Sequence, residues 1–524
     1  DLCYLCCVTE LFRQGEHFYP QFAGHNAHTI TSIIELSTQH SNVEFEFQRL
    51  HGMGKAMFDV VKQRFPKLNC RIYAPVGEYN MLLPYLVRRL LENGANTSFI
   101  HHFNDPNISI DRLVADPIKK AATLNMQETA RTKRPYELFG DFRRNSRGLN
   151  LDSEDKLREL LLKLTPYLQQ RTDVKPLVAN ELNLAGEPFY TTSPANNQQV
   201  VASLHFANKE TCFSALEVSL EYSQAWQQTD PHHRAFLLEQ TAELFQKHSD
   251  ELMTLCMLEA GKTYTNARDE IREAIDFCYY YAALGRAQLT QPEELPGPTG
   301  ESNKLYKHGR GVFLCISPWN FPLAIFTGQI AAALIAGNCV IAKAATTTSA
   351  VAHRAIELMY EADIPRQAIQ LLPVSRQLFS ECLIEDSRIA GIAFTGSTHT
   401  AQHINQTLAS RNAPIIPFVA ETGGQNTLIA DSSALPEQLV NDVLQSAFDS
   451  SGQRCSALRV LFIQDDGADH LLELLAGALA ELKVGHPLDP TTDIGPVISK
   501  QAQTDLTQHI DDMLHTNLLQ QHLQ

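Results

Sequence analysis

Three short apolar runs open the pattern of this chain, and each closes on polar or glycine residues before a helical interval begins. They are Gln21-Phe-Ala-Gly-His25-Asn26, Val43-Glu-Phe-Glu-Phe-Gln48-Arg-Leu50, and Cys70-Arg-Ile-Tyr73-Ala-Pro-Val-Gly77. Buried strands alternating with helices predict an α/β protein whose front is a segment of a (β/α)8-type barrel, with its chemistry at the carboxyl ends of the strands. A helix over Met81 to Asn93 follows, in which Tyr85, Arg88, Arg89 and Glu92 fall at spacings that share one face. Adjacent arginines can grip a small carboxylate in a fork, while Glu92 orients them or receives an amine.

The next stretch, 106–200, is polar and reads as a connecting arm with one amphipathic helix near Glu154 to Leu168. Its cluster Arg143-Arg144-Asn145-Ser146-Arg147 is expected to be a solvated turn. Residues 209–286 repeat apolar positions every three or four, with Asp230-Pro231 as a helix start, and 291–302 is expected to be a loop. From 311 to 342 no side chain is charged. Pro318, Asn320, Pro322, Gln329, Gly337 and Asn338 divide that stretch into strand, loop, helix and strand, so a buried α/β crossover is expected there and not a membrane span.

Length and charge narrow the possibilities. The 524 residues suffice for two to four domains. A formal net charge of −16 leaves no bulk basic surface, so nucleic acid is not an expected partner. Among eleven cysteines only Cys3 and Cys6 form a CxxC, beside Cys7, which gives neither a disulfide framework nor a zinc site; no metal is expected, and a reducing cytoplasm is. The chain opens on Asp1 without a signal-peptide pattern, so it is expected to begin inside a longer polypeptide.

Candidate chemistry lies in two glycine-flanked turns, Glu421-Thr422-Gly423-Gly424 and Gly452-Gln453-Arg454-Cys455. A thiol and a carboxylate are what aldehyde oxidation through a thioester needs: one adds to the carbonyl, the other activates the water that cleaves the acyl-enzyme. Asn320, in a proline-broken loop after the strand beginning at Gly311, is placed to donate to the oxyanion.

With Phe394-Thr395-Gly396-Ser397, these motifs resemble the NAD(P)-dependent aldehyde dehydrogenase superfamily from about residue 200 onward. The resemblance implies Cys455 as nucleophile, Glu421 as general base, and an oxyanion shared by Asn320 and the backbone N–H of Cys455. It implies cofactor contacts from Ser317, Pro318, Trp319, Lys343 (at the adenosine ribose), Gly396 and Ser397 (by the pyrophosphate at a helix start). Ser456 would meet the substrate's carboxylate. Thr346 stands where the family usually has a glutamate, which loosens the expected preference for NAD over NADP.

Residues 17–105 resemble the carboxyl-terminal part of the flavin-dependent proline dehydrogenase barrel, including its Tyr-x-x-Arg-Arg-x-x-Glu helix. By that likeness Tyr85, Arg88 and Arg89 bind proline and Leu50 packs on its ring. His25, Asn26, Gln48, Tyr73, Glu92 and Phe99 would lie at or near FAD. The order of the two halves is that of the proline utilization A family of bifunctional proline-catabolic flavoproteins. It implies FAD-dependent oxidation of L-proline to pyrroline-5-carboxylate, hydrolysis to glutamate semialdehyde, and NAD-dependent oxidation of that aldehyde to glutamate. It also implies membrane quinone as electron acceptor, peripheral contact at the inner face of the membrane, and a homo-oligomer. The expected organisation is 1–105 barrel segment, 106–200 arm, 201–420 Rossmann-like NAD-binding domain and 421–524 the start of the catalytic domain. Only about three of eight barrel strands are present, so this chain by itself is expected to be incompetent. The alternative is an aldehyde dehydrogenase of other substrate range carrying a non-catalytic barrel remnant.

Overall fold

The computed structural model describes residues 2–94, 102, 106–123, 133–180 and 186–516. It is a mixed α/β chain with parallel sheets, and it divides into two compact units, 1–133 and 134–524.

In the first unit, strands β1 (Gln21–Ala23), β2 (Glu46–Leu50) and β3 (Asn69–Tyr73) pair in parallel in that order. Phe22, Phe47 and Cys70 sit opposite one another, so their side chains share one face of the sheet. Phe22 and Phe47 join Val8, Phe12, Ile30, Ile33 and Phe58 in a core built by both the strands and the helices between them. The helix Leu2–Arg13 buries Leu5, Val8 and Phe12 at helical spacing, which leaves Cys3, Cys6 and Cys7 exposed. Among the described residues no cluster of three or more ligating side chains could hold a metal ion.

The second unit is organised on a five-stranded parallel sheet. Its members are β9 (Val312–Ile316), β10 (Cys339–Lys343), β11 (Ile369–Leu371), β12 (Ile389–Gly396) and β13 (Phe418–Thr422), in the order β11-β10-β9-β12-β13. The uncharged stretch is β9, the buried helix Ala324–Ile335 and β10, which is why it carries no charge: among these elements the sequence runs through the core. Among the described residues no helix is long and apolar enough to cross a membrane. Arg234 is buried without a carboxylate partner among its hydrogen bonds. Its guanidinium instead donates to the carbonyl oxygens of Ile335 (3.0 Å), Trp226 (3.2 Å) and Gln227 (3.2 Å), which lie at the ends of two helices where the macrodipole favours a cation.

Three sequence expectations change. Part of the 106–200 stretch forms sheet with the neighbouring fold: β4 (Thr172–Val174), β5 (Phe189–Ser193) and β6 (Asn196–Leu204) make a three-stranded sheet, and Leu177 exchanges backbone bonds with Leu371 of β11 at 3.0 and 2.9 Å. The arginine cluster is a docked strap and not a solvated turn. Ser146 is buried, donating through N and Oγ to Asp276 at 2.6 and 3.1 Å, and Arg143 lies 3.7 Å from the Phe139 ring centroid. The expected loop at 291–302 is bounded by an antiparallel pair, β7 (Glu293–Leu295) with β8 (Asn303–Leu305), because a hairpin pairs backbone groups that a bare loop would leave to water.

Beyond β13, the strands β14 (Asn426–Ala430) and β15 (Leu458–Ile463) pair in parallel over a separate small core of Ala430, Leu439, Val440, Val443, Leu458 and Leu471.

Candidate active site

The parallel sheet puts the carboxyl ends of β9, β10 and β12 on one edge, and the strand order reverses between β9 and β12. Such a reversal opens a crevice where ligands of open α/β sheets bind. Ser317 follows β9, Lys343 ends β10, and Gly396 ends β12. The N–H of Ser317 donates to the Lys343 carbonyl at 3.1 Å, while its buried Oγ has no hydrogen-bond partner among the described residues. Lys343 Nζ donates only weakly, to Ala344 O at 3.4 Å; burial, with help from the Arg376 charge, pushes its pKa down to about 8. Ser397 caps the helix Thr398–Ser410, its Oγ accepting from Thr400 N at 3.2 Å. Pro318 and Trp319 are half-buried beside this edge, and Thr346 opens a 3₁₀ turn three residues beyond Lys343. An orphaned hydroxyl, a half-buried lysine and a helix start on one edge fit a dinucleotide.

The turn that carries Cys455, the candidate nucleophile, lies after the helix Pro436–Phe448. Ser450, Ser451 and Gly452 take left-handed φ angles of 54°, 58° and 65° in succession. A Cβ on Gly452 would stand 2.7 Å from Ala447 O, so both space and φ require glycine there. Asp449 stabilises the turn, accepting from Ser450 N at 2.9 Å and Asn266 Nδ2 at 2.7 Å and pairing with Arg454 at 2.8 Å. Arg454 also donates to Asn266. This scaffold leaves Cys455 and Ser456 exposed. The six buried thiols, Cys212, Cys256, Cys278, Cys315, Cys339 and Cys382, all have pKa values raised by burial, which disfavours the thiolate a nucleophile needs.

Two segments are tied to this turn, the Asn320 loop and the stretch that follows Glu421. Asn320 Nδ2 donates to Gln453 O at 2.9 Å, joining the loop after β9 to the residue two before Cys455. Glu421 is exposed on β13, opposite Thr395 of β12. The chain leaving β13 reaches Asn426 at the start of β14, and Asn426 Nδ2 donates to Cys455 O (2.7 Å) and Ala457 O (2.9 Å). Sequence reasoning stopped at Gly424 and missed Asn426. It also missed Asn266, which is buried in the helix Tyr264–Leu289 but flanked in sequence by so many polar residues that nothing marked it out.

In the first unit, His25 and Asn26 follow β1, Gln48 and Leu50 lie in β2, and Tyr73 ends β3. His25 is lowered in pKa by burial and then by the Arg49 charge, and its buried Nε2 has no hydrogen-bond partner among the described residues. Asn26 Oδ1 caps the helix Ala27–Thr38, accepting from His28 N at 2.9 Å. Gln48 Nε2 donates to Glu46 Oε1 at 3.0 Å, and Arg71 grips the same carboxylate at 2.6 and 2.8 Å, holding its pKa down at about 2. Leu50 is buried. The helix Tyr79–Gly94 carries Tyr85, Arg88 and Arg89 as expected. The Tyr73 pKa is raised by burial and by its hydrogen bond with Tyr85, and the Arg89 guanidinium stands 5.5 Å from the Tyr85 ring centroid, so these three side chains are neighbours. Arg88 is exposed. Glu92 lies on the helix, though its side chain falls outside the described residues, as does Phe99. The orphaned imidazole nitrogen and the tyrosine–arginine cluster at the strand ends fit a flavin with a small amino acid beside it.

The aldehyde dehydrogenase family matches residues 183–520, and the proline dehydrogenase family matches residues 1–102. The chain is 43% identical to the bifunctional protein PutA of Salmonella typhimurium over 98% of its own length and 39% of that protein. It therefore spans about two fifths of the curated relatives it matches first. Among solved structures, proline utilization A of Bradyrhizobium japonicum is similar with a TM-score of 0.78 at 41% identity, covering 98% of this chain and 49% of that one. A 1-pyrroline-5-carboxylate dehydrogenase from Thermus with bound NAD is similar with a TM-score of 0.66 at 28% identity, covering 70% and 72%.

Proposed function

Because the chain belongs to the aldehyde dehydrogenase family, we propose that its second unit oxidises glutamate semialdehyde to glutamate through a thioester on Cys455. The first unit contributes to FAD-dependent oxidation of L-proline to pyrroline-5-carboxylate. One observation carries the first assignment. The exposed Cys455 sits in a turn tied at 2.9 Å to the Asn320 loop, and its own carbonyl is held at 2.7 Å by Asn426 from the segment that Glu421 leads into.

The Cys455 thiolate adds to the aldehyde carbon, and the carbonyl π pair becomes an oxyanion. Asn320 Nδ2 turns from Gln453 O to donate to that oxygen, sharing it with the Cys455 N–H; one such donor is worth about 3 kcal/mol of barrier. Ser317, Pro318, Trp319, Lys343, Gly396 and Ser397 would hold NAD, which would supply the acceptor for the hydride that leaves the adduct. Glu421 then takes a proton from water as its oxygen attacks the thioester, and Cys455 leaves as thiolate. Ser456 receives the substrate's α-carboxylate. At the front, Arg88 and Arg89 would hold the proline carboxylate with Tyr85, Leu50 would bound its ring, and His25, Asn26, Gln48 and Tyr73 would hold FAD, to which the resemblance adds Glu92 and Phe99.

Family resemblance supports membrane quinone as the electron acceptor and peripheral contact at the inner membrane face. Eleven free cysteines suit a reducing cytoplasm. A homo-oligomer is supported by the exposed apolar side chains Val419, Ile429 and Phe462 on β13, β14 and β15. The domain limits proposed are 1–105, 106–200, 201–420 and 421–524.

The test is NADH formation with pyrroline-5-carboxylate and flavin-dye reduction with proline, in the full-length enzyme. Replacing Arg88 and Arg89 by alanine abolishes only the second. Activity on neither substrate in the unsubstituted enzyme would reject the assignment.

A further inference from the structure

The helix Ala324–Ile335 begins directly after the oxyanion loop, yet the residue before it, Leu323, has no side-chain oxygen to satisfy the first N–H groups. Glu270, from the helix Tyr264–Leu289, supplies it: Oε1 accepts from Leu323 N at 2.9 Å and Ala324 N at 2.8 Å. That carboxylate is wholly inside, with 0% of its side chain exposed against 2% for Lys262, whose Nζ stands 3.0 Å from Oε2. The pair makes close contact without good hydrogen-bond geometry at Oε2. Lys262 Nζ also stands 4.9 Å from the Phe321 ring centroid, and the Arg454 guanidinium stands 5.8 Å from the same ring. Phe321 adjoins Asn320, and Arg454 adjoins Cys455, so one ring is shared by cations bordering the two catalytic loops.

The same helix reaches the nucleophile turn through Asn266, which binds both Asp449 and Arg454. Asn266 and Glu270 are four apart and so lie on one helical face. One rigid face thereby sets two turns: Asn266 the one that carries Cys455, Glu270 the one that carries Asn320.

We propose that Glu270 and Lys262 are positioning residues for the oxyanion donor: the buried pair fixes the start of the helix after Asn320 and so the distance of its amide from the nucleophile. This rests on the thioester reading of Cys455. A buried ion pair is weak evidence for stability as such, because apolar replacements of both members are often tolerated. Such a replacement removes the acceptor for Leu323 N and Ala324 N, and a displacement of about 1 Å can cost about a hundredfold in rate.

The informative variant is therefore Lys262→Met with Glu270→Leu in the full-length enzyme, alone and combined with Asn320→Ala. We expect a lower thermal midpoint, because two buried N–H groups lose their acceptor, faster hydrogen exchange of the Leu323 and Ala324 amides, and kcat for aldehyde oxidation lowered by about tenfold or more, with KM for NAD within about twofold. In the Asn320→Ala background the further loss should shrink to less than about threefold, because a residue acting through Asn320 has nothing left to position. Wild-type kcat in the double variant, losses that multiply in that background, or unchanged exchange of those two amides would each overturn the proposal. Should the unsubstituted enzyme fail to oxidise any aldehyde, the thioester reading falls, while the exchange measurement still decides whether Glu270 holds this loop.

Discussion

Asn426→Ala isolates the contact that couples the segment after Glu421, the proposed base, to Cys455, the proposed nucleophile. The substitution removes hydrogen bonds of 2.7 and 2.9 Å to the carbonyls of Cys455 and Ala457. Each neutral bond is worth about 1 kcal/mol net, so about 2 kcal/mol of order is lost from the peptide that follows the nucleophile. Cys455 is exposed, so water reaches its freed carbonyl, whereas Ala457 is buried and its freed carbonyl adds a desolvation cost that makes this a lower bound. If the sulfur reacts only from the held arrangement, about 2 kcal/mol of population translates into a fall of about thirtyfold in kcat/KM for the aldehyde. NAD affinity should hardly change, because Ser317, Lys343 and Ser397 sit on other strands. Rapid-mixing measurement of the NADH burst, alongside the rate of Cys455 alkylation by iodoacetamide, reads the effect. Asn426→Asp is the stricter comparison. It keeps the shape but turns a donor into a carboxylate oxygen facing two carbonyl oxygens, and should be slower than the alanine variant. A burst at the wild-type rate in Asn426→Ala, or a faster aspartate than alanine variant, would refute the coupling.

Cys455→Ala should eliminate NADH formation while leaving proline oxidation intact, and Glu421→Ala should let the acyl-enzyme accumulate, visible by mass spectrometry of the intact protein, with steady-state turnover depressed. Gly452→Ala should lower the thermal midpoint and abolish the burst, since it puts a Cβ 2.7 Å from Ala447 O at φ 65° and costs at least about 1 kcal/mol in backbone strain alone. Lys343 is a base whose folded pKa, about 8, lies below the ordinary lysine value, so it is charged below about pH 8 and neutral above it. Fold stability should therefore rise with pH from about 8 towards the unfolded lysine value of about 10.4, and binding of the NADP 2′-phosphate should weaken over the same rise, more than binding of NAD. Titration calorimetry at pH 7 and 9 checks this, and Lys343→Met should remove the difference between the two cofactors.

Much of the architecture was legible because it rests on local periodicity. The strands at Gln21–Ala23, Glu46–Leu50 and Asn69–Tyr73, the uncharged crossover from Val312 to Ala342 and the helix started by Asp230-Pro231 all follow from the spacing of apolar side chains and from backbone constraints within a few residues. The docked strap at Ser146 was not legible, because a run of arginines reads as solvated until Asp276, 130 residues away, supplies an acceptor for Ser146 N.

Sequence by itself determined which groups can do the chemistry: a cysteine and a glutamate beside glycines, an asparagine after a strand, and paired arginines on a helix face. Tertiary structure decided how they are held, since Asn426 on Cys455 O, Asn266 on Asp449 and Glu270 on Leu323 N each join residues dozens to hundreds of positions apart. No pattern within a few residues encodes such a bond; it exists only where packing brings a donor and an acceptor from distant segments together.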